Sequence, residues 1–361
     1  MLWAVAILSM VALGFSKDTR MSVLLKSIST ERIKDLYAAR GASLYAFAKM
    51  SIDENVSNTQ AEGNKSAPGA VDLVVPGDLP KGGTAPTGSN TDTENDTDTD
   101  TDERNSEESG NHHDDKWSPG KNPYSVTIGD RDCDVYLSSE NGKININGLN
   151  DKNREIFVNF LKKRDVDISD ADIITDSILD WIDTNDLTHI NGAEDGYYGS
   201  LPDPYKTKDA PFQSIEEMTL VRGVTPEIFG NIKELITVYG DKKISINVNL
   251  ASKEILGSLP GMSDDIVDEL SLYIEENGII GDKEELREVF WELGVIGSSF
   301  EGVKRYLTLE QSDFITISAF SRGLSGTQKQ SNKSSTHHGY DYKLIVGKDD
   351  KDYKIYAVYP E

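Results

Sequence analysis

The residues most disruptive to helices are scarce in the first fifty positions of this chain. Proline is absent from Met1 to Ala67, and glycine is absent between Gly14 and Gly41. Because these two residues carry the largest helix penalties, we predict one continuous helix from Met1 to about Met50. At about 1.5 Å per residue it would be roughly 75 Å long, so any fold of this chain must accommodate a long rod.

The opening of this helix, residues 1–15, is uncharged and almost wholly apolar, and Lys17 and Arg20 follow it. A bilayer span needs about 20 apolar residues, so the run is short. Three interpretations are a cleaved secretory signal, a buried core helix and a membrane anchor. We favour the anchor, because a signal normally has a basic start and an A-x-A-like cleavage site, and because the helix continues without a break.

The second half of the predicted helix is amphipathic. At helical spacing its large apolar residues fall on one face, and charged residues fill other positions. The apolar face consists of Ile33, Leu36, Tyr37, Leu44 and Phe47. We expect this face to pack against a globular head, so the predicted first segment of the chain is a transmembrane and amphipathic helix at 1–50.

Composition changes abruptly at residues 51–120. This segment has 16 acidic and four basic residues, a net charge of −12 out of −25 for the whole chain of 361 residues. It is rich in Pro, Gly, Ser and Asn, which predicts a disordered acidic linker. Because a polyanion repels phosphate, we expect no nucleic-acid partner.

Beyond the linker we predict strands at 121–147, helices at 148–300 and strands again at 301–361. Alternation of apolar and polar residues on both sides of Gly129–Asp130 indicates a strand pair. Strands on either side of a helical block predict an α+β fold with a helical insertion in a β-sheet head. The predicted C-terminal strands are Phe314–Phe320, Tyr340–Gly347 and Tyr353–Tyr359.

The stretch 180–198, DWIDTNDLTHINGAEDGYY, concentrates carboxylates without an internal Lys or Arg. In an ordered loop these groups would repel one another, and a hard cation held by oxygens, most plausibly calcium, would offset the repulsion. The alternative is a solvated acidic loop whose charges point into water. The acidic residues are Asp180, Asp183, Asp186, Glu194 and Asp195.

The spacing in this stretch is not that of an EF-hand. With Asp183 as the first loop position, Leu187 and Thr188 stand where an oxygen ligand and a glycine are required. The stretch still offers enough oxygens for the six to eight or so that calcium takes. We treat Asp180 as a supporting group or a surface charge. We predict four metal ligands, Asp183, Asp186, Glu194 and Asp195.

Two segments look like helix-hairpin-helix turns, at Leu220–Val224 and Leu259–Met262. In nucleic-acid binders such turns offer backbone N–H groups to a phosphate. Here Glu227 follows the first turn, and Asp264 and Asp265 follow the second. These carboxylates would occupy the positive helix ends themselves, so we predict structural helix pairs.

The chain shows no motif of a known catalytic site. It has five histidines and one cysteine, Cys133, and it lacks the H-E-x-x-H, G-x-S-x-G and phosphate-loop patterns. A single cysteine excludes an internal disulfide. We predict no enzymatic activity and no catalytic residues, with a periplasmic or extracellular hydrolase that uses the acidic cluster as the alternative.

The same residues carry a family resemblance. The run from Asp180 to Ile232, with the later ISINVNLASKEILGSLPGM, resembles the K subunit of the bacterial type II secretion system (general secretion pathway protein K), a minor pseudopilin. The opening LWAVAILSMVALGF and the segment GKININ are similar to that family too. The resemblance covers the chain outside residues 51–120.

The resemblance implies a pseudopilin fold, with an N-terminal helix in the inner membrane of a Gram-negative bacterium and a β-containing head in the periplasm. The head would hold a large helical insertion of helix-hairpin-helix (SAM-like) type. Members of the family cap the pseudopilus tip with the I and J minor pseudopilins, and they bind calcium at an acidic loop that matches Asp183–Asp195. They begin with a short basic leader cleaved after a glycine. Because none precedes Leu2 here, we expect an upstream start or different processing.

Overall fold

A computed structural model describes residues 2–61, 117–120, 122–324, 341–349 and 352–360, without the side chains of residues 2–19, 53–61, 323–324 and 360. In chain order the helices and strands are α1 (Leu2–Ala61), β1 (Tyr124–Ile128), β2 (Arg131–Ser139), β3 (Ile144–Asn145), α2 (Arg154–Lys163), α3 (Ile168–Ile182), α4 (Asp195–Tyr198), α5 (Pro226–Ile232), β4 (Ile236–Thr237), β5 (Ile246–Asn247), α6 (Lys253–Leu256), α7 (Asp264–Asn277), α8 (Lys283–Glu292), α9 (Ser298–Lys304), β6 (Leu307–Thr308), β7 (Phe314–Leu324), β8 (Asp341–Asp349) and β9 (Asp352–Pro360).

The predicted N-terminal helix is present, but it continues to Ala61 instead of ending near Met50. The residues beyond Met50 belong to the predicted linker, yet no proline or glycine interrupts the helix there. Residues 62–116 of that linker lie outside the described residues, as do the side chains of the predicted anchor at 1–15. The prediction of disorder up to residue 120 is wrong at its end, because Trp117 packs against the head and the N–H of Gly120 donates to the carbonyl of Leu137. Among the helices described, none combines the length and apolar composition needed to cross a bilayer.

The head is one antiparallel sheet with strand order β1-β2-β7-β8-β9. The predicted strand pair is confirmed, with β1 and β2 joined at Gly129–Asp130 and Gly129 at a φ of +64°. Strand β2 alternates between buried and less buried positions, which directs Cys133, Val135 and Leu137 to one face of the sheet. That face packs against α1 and forms a first hydrophobic core.

The face of α1 that meets this core differs from the predicted one. Ile33 and Tyr37 are 53% and 63% exposed, and only Phe47 of the predicted face packs against the core. Small side chains let the helix approach the sheet closely, and Ile33 and Tyr37 lie on the side away from it. The buried stripe consists of Ala38, Ala42, Ala46 and Met50.

The helical block is inserted between β2 and β7, which are neighbours in the sheet. The predicted boundaries of the block are too narrow. Strand β3 was assigned to the head by the sequence pattern, but it pairs in parallel with β4 inside the block. At the other end, residues 301–304 belong to α9, and β6 pairs in parallel with β5. The head therefore ends at Ser139 and resumes at Phe314.

The block has its own hydrophobic core, separate from that of the head. Both predicted helix-hairpin-helix turns contribute helices to it. Thr225 caps α5 and Ser263 caps α7 through their side-chain oxygens, so the chain itself occupies both helix ends. The largest fully buried side chains of this core include Phe157, Phe160, Tyr198 and Phe290.

Candidate metal centre

The acidic loop begins where α3 ends. Asp176, Asp180 and Asp183 stand at positions i, i+4 and i+7, which places them on one side of the helix. Asp176 and Asp180 are buried, with 4% and 0% exposure. Carboxylates are rarely buried without a partner, so each of these groups calls for a counter-charge or a hydrogen-bond donor.

The positive charges absent from the loop come from other parts of the fold. Arg154 on α2 donates from Nε to Asp176 Oδ1 at 2.8 Å. Arg222 donates from Nη1 to the backbone carbonyl of Gly192 at 2.8 Å. Arg154 thus compensates Asp176 within α3, and Arg222 holds the far end of the acidic loop at Gly192.

Asp180 is tied to His189, which lies across the loop. Asp180 Oδ1 accepts the backbone N–H of His189 at 3.0 Å and contacts ring atom Nδ1 of the same residue. The other ring nitrogen, Nε2, lies 2.9 Å from Asp151 Oδ1. Burial alone would lower the pKa of His189, but the two carboxylates outweigh it and raise that pKa. The imidazole is thus held between two acidic side chains.

The second oxygen of Asp180 is buried and accepts no hydrogen bond of good geometry among the described residues, although the backbone N–H of Ala193 is close enough to act on this carboxylate. The backbone of Gly192 packs directly against it, and a Cβ at this position would collide with Oδ2. Glycine is therefore required here for close approach. A buried oxygen without a good hydrogen bond is the first sign that this carboxylate binds a ligand from outside the polypeptide.

Glu194 gives the second sign. It is 6% exposed, and neither of its carboxylate oxygens has a hydrogen-bond partner among the described residues. Burial, followed by the negative charge of Asp180, raises the pKa of Glu194 to about 7, although the nearby Thr207 hydroxyl, which donates to Asp195, acts in the opposite direction. A buried carboxylate with no donor is costly when ionised, and a cation would remove that cost.

The donor set suits a hard cation. Ligand atoms of Asp180, Asp183 and His189 lie within 4.8 Å of one another. Both nitrogens of His189 already face carboxylates, so the available ligand atoms are oxygens, and Oδ2 of Asp180 and both oxygens of Glu194 lack hydrogen bonds of good geometry among the described residues. Oxygen ligands favour magnesium, calcium or manganese over zinc or copper. The chemistry of these residues therefore suits a cation such as calcium, with Asp180 and Asp183 in one group and Glu194 close enough to feel their charge.

The structure separates the four predicted ligands. Asp183 groups with Asp180 and His189, and Glu194 is near enough for the charges of Asp180 and Asp183 to act on it, whereas Asp186 is exposed and stands outside this group. Asp195 is used elsewhere, because its Oδ1 accepts the backbone N–H of Thr207 at 3.0 Å and the Thr207 hydroxyl at 2.9 Å. Whether the four residues bind a metal stays a prediction.

Two contributors were undervalued by sequence reasoning. Asp180 was expected to be supporting or exposed, and no role was assigned to His189, yet both are central to the cluster. The helical spacing of Asp176, Asp180 and Asp183 was the available signal. It indicates a shared helix face, but it does not reveal that the face is buried.

Aromatic residues support the cluster from the interior. Trp181, next to Asp180, is 3% exposed and lies edge-on to Tyr198 with ring centroids 5.4 Å apart. It also stacks on Phe212 at 6.3 Å. Since Tyr198 follows Glu194 by one helical turn, this packing holds both ends of the acidic loop against α3.

Comparison with known proteins supports one family. Residues 142–241 match the family model for the type II secretion system (T2SS), protein K. This region runs from β3 to β4 and includes all the residues of the candidate metal centre. The resemblance inferred from the sequence is confirmed over that region.

Curated relatives carry the same name. Proteins called type II secretion system protein K from Pectobacterium carotovorum subsp. carotovorum and Aeromonas hydrophila are 30% and 33% identical to this chain over 95 residues. These alignments cover 26% of this chain and 29% of each relative. The chain thus spans less than a third of the length of these relatives.

One solved structure is similar over a longer range. It is the crystal structure of the GspK-GspI-GspJ complex from the enterotoxigenic Escherichia coli type 2 secretion system. The likeness has a TM-score of 0.47 and 13% identity, and it covers 67% of this chain and 84% of the chain matched.

Proposed function

We propose that this chain, whose residues 142–241 carry the type II secretion system protein K domain, is a minor pseudopilin. It caps the tip of the periplasmic pseudopilus together with the I and J minor pseudopilins and supports protein export across the outer membrane. In this proposal α1 anchors the chain in the inner membrane and the head lies in the periplasm. Its mechanism is packing, without a chemical step.

The observation that carries this proposal is the two-sided packing of α1. Its alanine stripe is buried against its own sheet, whereas Ile33, Tyr37 and Leu44 are 53%, 63% and 38% exposed. Large apolar residues at helical spacing on an open helix face suit packing against other helices. One side of α1 would then hold the head, and the other side would meet neighbouring subunits.

The inserted helical block supports the capping role. It joins two neighbouring strands of one sheet and carries its own core, so it is a rigid mass attached to the head at both ends. A mass of this kind would obstruct the addition of a further subunit. Growth of the fibre would therefore stop at this chain.

We extend the proposal to calcium. The ion supplies positive charge to carboxylates that otherwise repel one another. Asp180, Asp183 and Glu194 would hold it, and support comes from the buried oxygens of Asp180 and Glu194 that lack partners. Bound metal would fix the acidic loop against α3 and stiffen the start of the block.

Co-expression with the I and J minor pseudopilins of the same bacterium tests the proposal. We expect the three proteins to co-purify, and Tyr37→Glu to abolish the complex while the melting temperature stays unchanged, because Tyr37 is exposed. Lys242→Glu, an exposed change on the helical block, is the control and should leave the complex intact. A complex that survives Tyr37→Glu, or none with the wild type, would contradict the proposal.

A further inference from the structure

The C-terminal half of the helical block exposes a tryptophan. Trp291, near the end of α8, is 70% exposed, whereas Trp181 in the same block is 3% exposed. Ile296, in the turn after α8, is 50% exposed. An indole in water is a large apolar surface without the stabilisation of burial. An exposed tryptophan is a candidate anchor for a binding partner.

The elements around Trp291 are strongly acidic. Residues 264–292, which form α7 and α8 and which we call the acidic hairpin, contain 11 acidic and two basic residues, a net charge of −9. Glu284 and Glu288 precede Trp291 by seven and three positions, so they share its helix face with Arg287. All of these side chains are exposed.

Helix α7 lies close to the negative charges of α8. The hydroxyl of Tyr273 on α7 donates to Glu285 Oε1 at 3.1 Å, and the charges of Glu292 and Glu288 also act on this hydroxyl. Three carboxylates of α8, those of Glu285, Glu288 and Glu292, thus lie near Tyr273 on α7. The surface combines an open indole with several negative charges.

The chain neutralises only the early part of the acidic hairpin. Lys163 lies 2.5 Å from Asp264, and Lys253 lies 2.5 Å from Asp268. Within the described residues, no ion pair joins Glu288 or a neighbouring glutamate of α8 to a basic side chain. The negative charge around Trp291 is therefore available to a partner.

We propose that the Trp291 face of the acidic hairpin docks a protein segment that presents arginine beside an apolar residue. A guanidinium stacks on an indole face and bonds a carboxylate in a bidentate manner, so one arginine can contact Trp291 and Glu288 together. The adjacent apolar residue would cover Ile296. Tryptophan is among the residues that contribute most to binding at protein interfaces.

Charge selects this occupant over others. A surface of net charge −9 repels nucleic acid, an anionic membrane and a second copy of the same hairpin. A basic protein segment is attracted instead, and its binding should weaken as salt rises. The inference does not depend on the pseudopilin proposal, since it uses neither α1 nor the metal centre.

Selection of a random peptide library displayed on phage against the immobilised full chain tests the proposal. We expect enriched peptides to contain arginine next to leucine or an aromatic residue. A synthetic peptide of the enriched sequence should bind Trp291→Ala and Glu288→Lys at least about tenfold more weakly than the wild type. Replacing its arginines with lysines should weaken binding as well.

Matched control variants show whether binding depends on the Trp291 face or on any exposed charge or apolar side chain. Ile168→Ala removes an exposed apolar side chain on α3, and Asp352→Lys reverses an exposed charge on β9. Neither should change peptide affinity, and all four variants should keep the wild-type circular dichroism spectrum. Should no basic sequence be enriched, or should Trp291→Ala bind the peptide as tightly as the wild type, the proposal is wrong. Self-association of the chain that Trp291→Ala abolishes would also overturn it, in favour of a second copy.

Discussion

Arg131 on β2 lies with Nη1 3.3 Å from Asp35 Oδ1 on α1. Arg131 is 2% exposed and also contacts Glu31, one turn earlier on the helix. A buried guanidinium requires anionic partners, and these two residues of α1 provide them. The pair therefore specifies how the long helix docks on the sheet, at the end where the alanine stripe begins.

Replacing Arg131 with alanine should destabilise the head by roughly 2 kcal/mol, since two carboxylates lose their counter-charge. Urea unfolding followed by circular dichroism measures this. Asp130→Asn is the matched control, because Asp130 is 64% exposed and lies 3.6 Å from Arg131 Nε. We expect no measurable change there, and equal effects of the two substitutions would contradict a role for Arg131 in docking.

The alanine stripe of α1 makes a second prediction. Ala42 is 0% exposed against the sheet, so Ala42→Leu should force the helix away and cost about 1–3 kcal/mol. Leu44→Ala, two residues along on the exposed side, should leave the stability of the isolated chain unchanged. If Leu44→Ala were the more damaging change in urea unfolding, the assigned helix face would be wrong.

Calcium should stabilise the protein through Glu194. At a calcium concentration 100 times the dissociation constant, binding to the folded state alone adds about 2.7 kcal/mol. Excess chelator should therefore lower the melting temperature of the wild type, and Glu194→Gln should abolish the difference between calcium and chelator. Asp186→Asn, an exposed change in the same loop, should keep the full calcium response. A response lost in Asp186→Asn and kept in Glu194→Gln would reverse the ligand assignment.

The same carboxylate predicts a pH dependence in chelator. The pKa of Glu194 in the folded protein is about 7, above its ordinary value of 4.5. Protonation therefore contributes stability that is fully present below about pH 4.5 and is lost as the pH rises through about 7. Between pH 5 and pH 8 the unfolding free energy of the wild type should fall more than that of Glu194→Gln. Parallel pH profiles for the two proteins would rule out a buried, unpaired Glu194.

Two glycines in the acidic loop give a matched pair. A Cβ at Gly192 would strike the carboxylate of Asp180, whereas a Cβ at Gly196 has no atom within 4 Å. Gly192→Ala should lower the melting temperature and weaken calcium binding, because Asp180 must move. Gly196→Ala should be neutral or slightly stabilising, since alanine is the better residue in a helix. Calcium titration by calorimetry, with identical affinities for both variants, would refute the close approach at Gly192.

Cys133 should be unreactive in the folded protein. It is fully buried under α1, and burial, followed by the charges of Asp132 and Asp134, raises the pKa of its thiol to about 11. Because the thiolate is the reactive form, an alkylating reagent at pH 8 should label Cys133 only in urea. Labelling at the same rate with and without urea would show that α1 does not cover this strand.

Periodicity predicted the elements whose signals are local. The strand pair at Gly129–Asp130 and the C-terminal strands lie close to their predicted positions, because alternation is a property of neighbouring residues. The boundaries of the helical block were wrong, since β3 and β6 are two-residue strands whose partners are distant in the chain. The residues near a short strand do not indicate which distant strand pairs with it in parallel.

For the metal centre, too, the sequence predicted only part of what the structure shows. The sequence indicated that carboxylates concentrate between 180 and 195, but it could not rank them. Asp180 is buried because Gly192 and His189 fold onto it, whereas Asp186 stays in water. The ranking depends on desolvation, which only the folded chain defines.

By itself, then, the amino-acid sequence determined a long unbroken helix, an acidic loop and a helical block between strands. Only the tertiary structure decided which side of α1 is buried and which carboxylates lose their water. The physical reason is that apolar residues at helical spacing can pack either against the helix's own sheet or against another molecule. The sequence pattern alone does not distinguish the two. The buried side of α1 is the one whose alanines pack against the sheet and whose Asp35 pairs with Arg131.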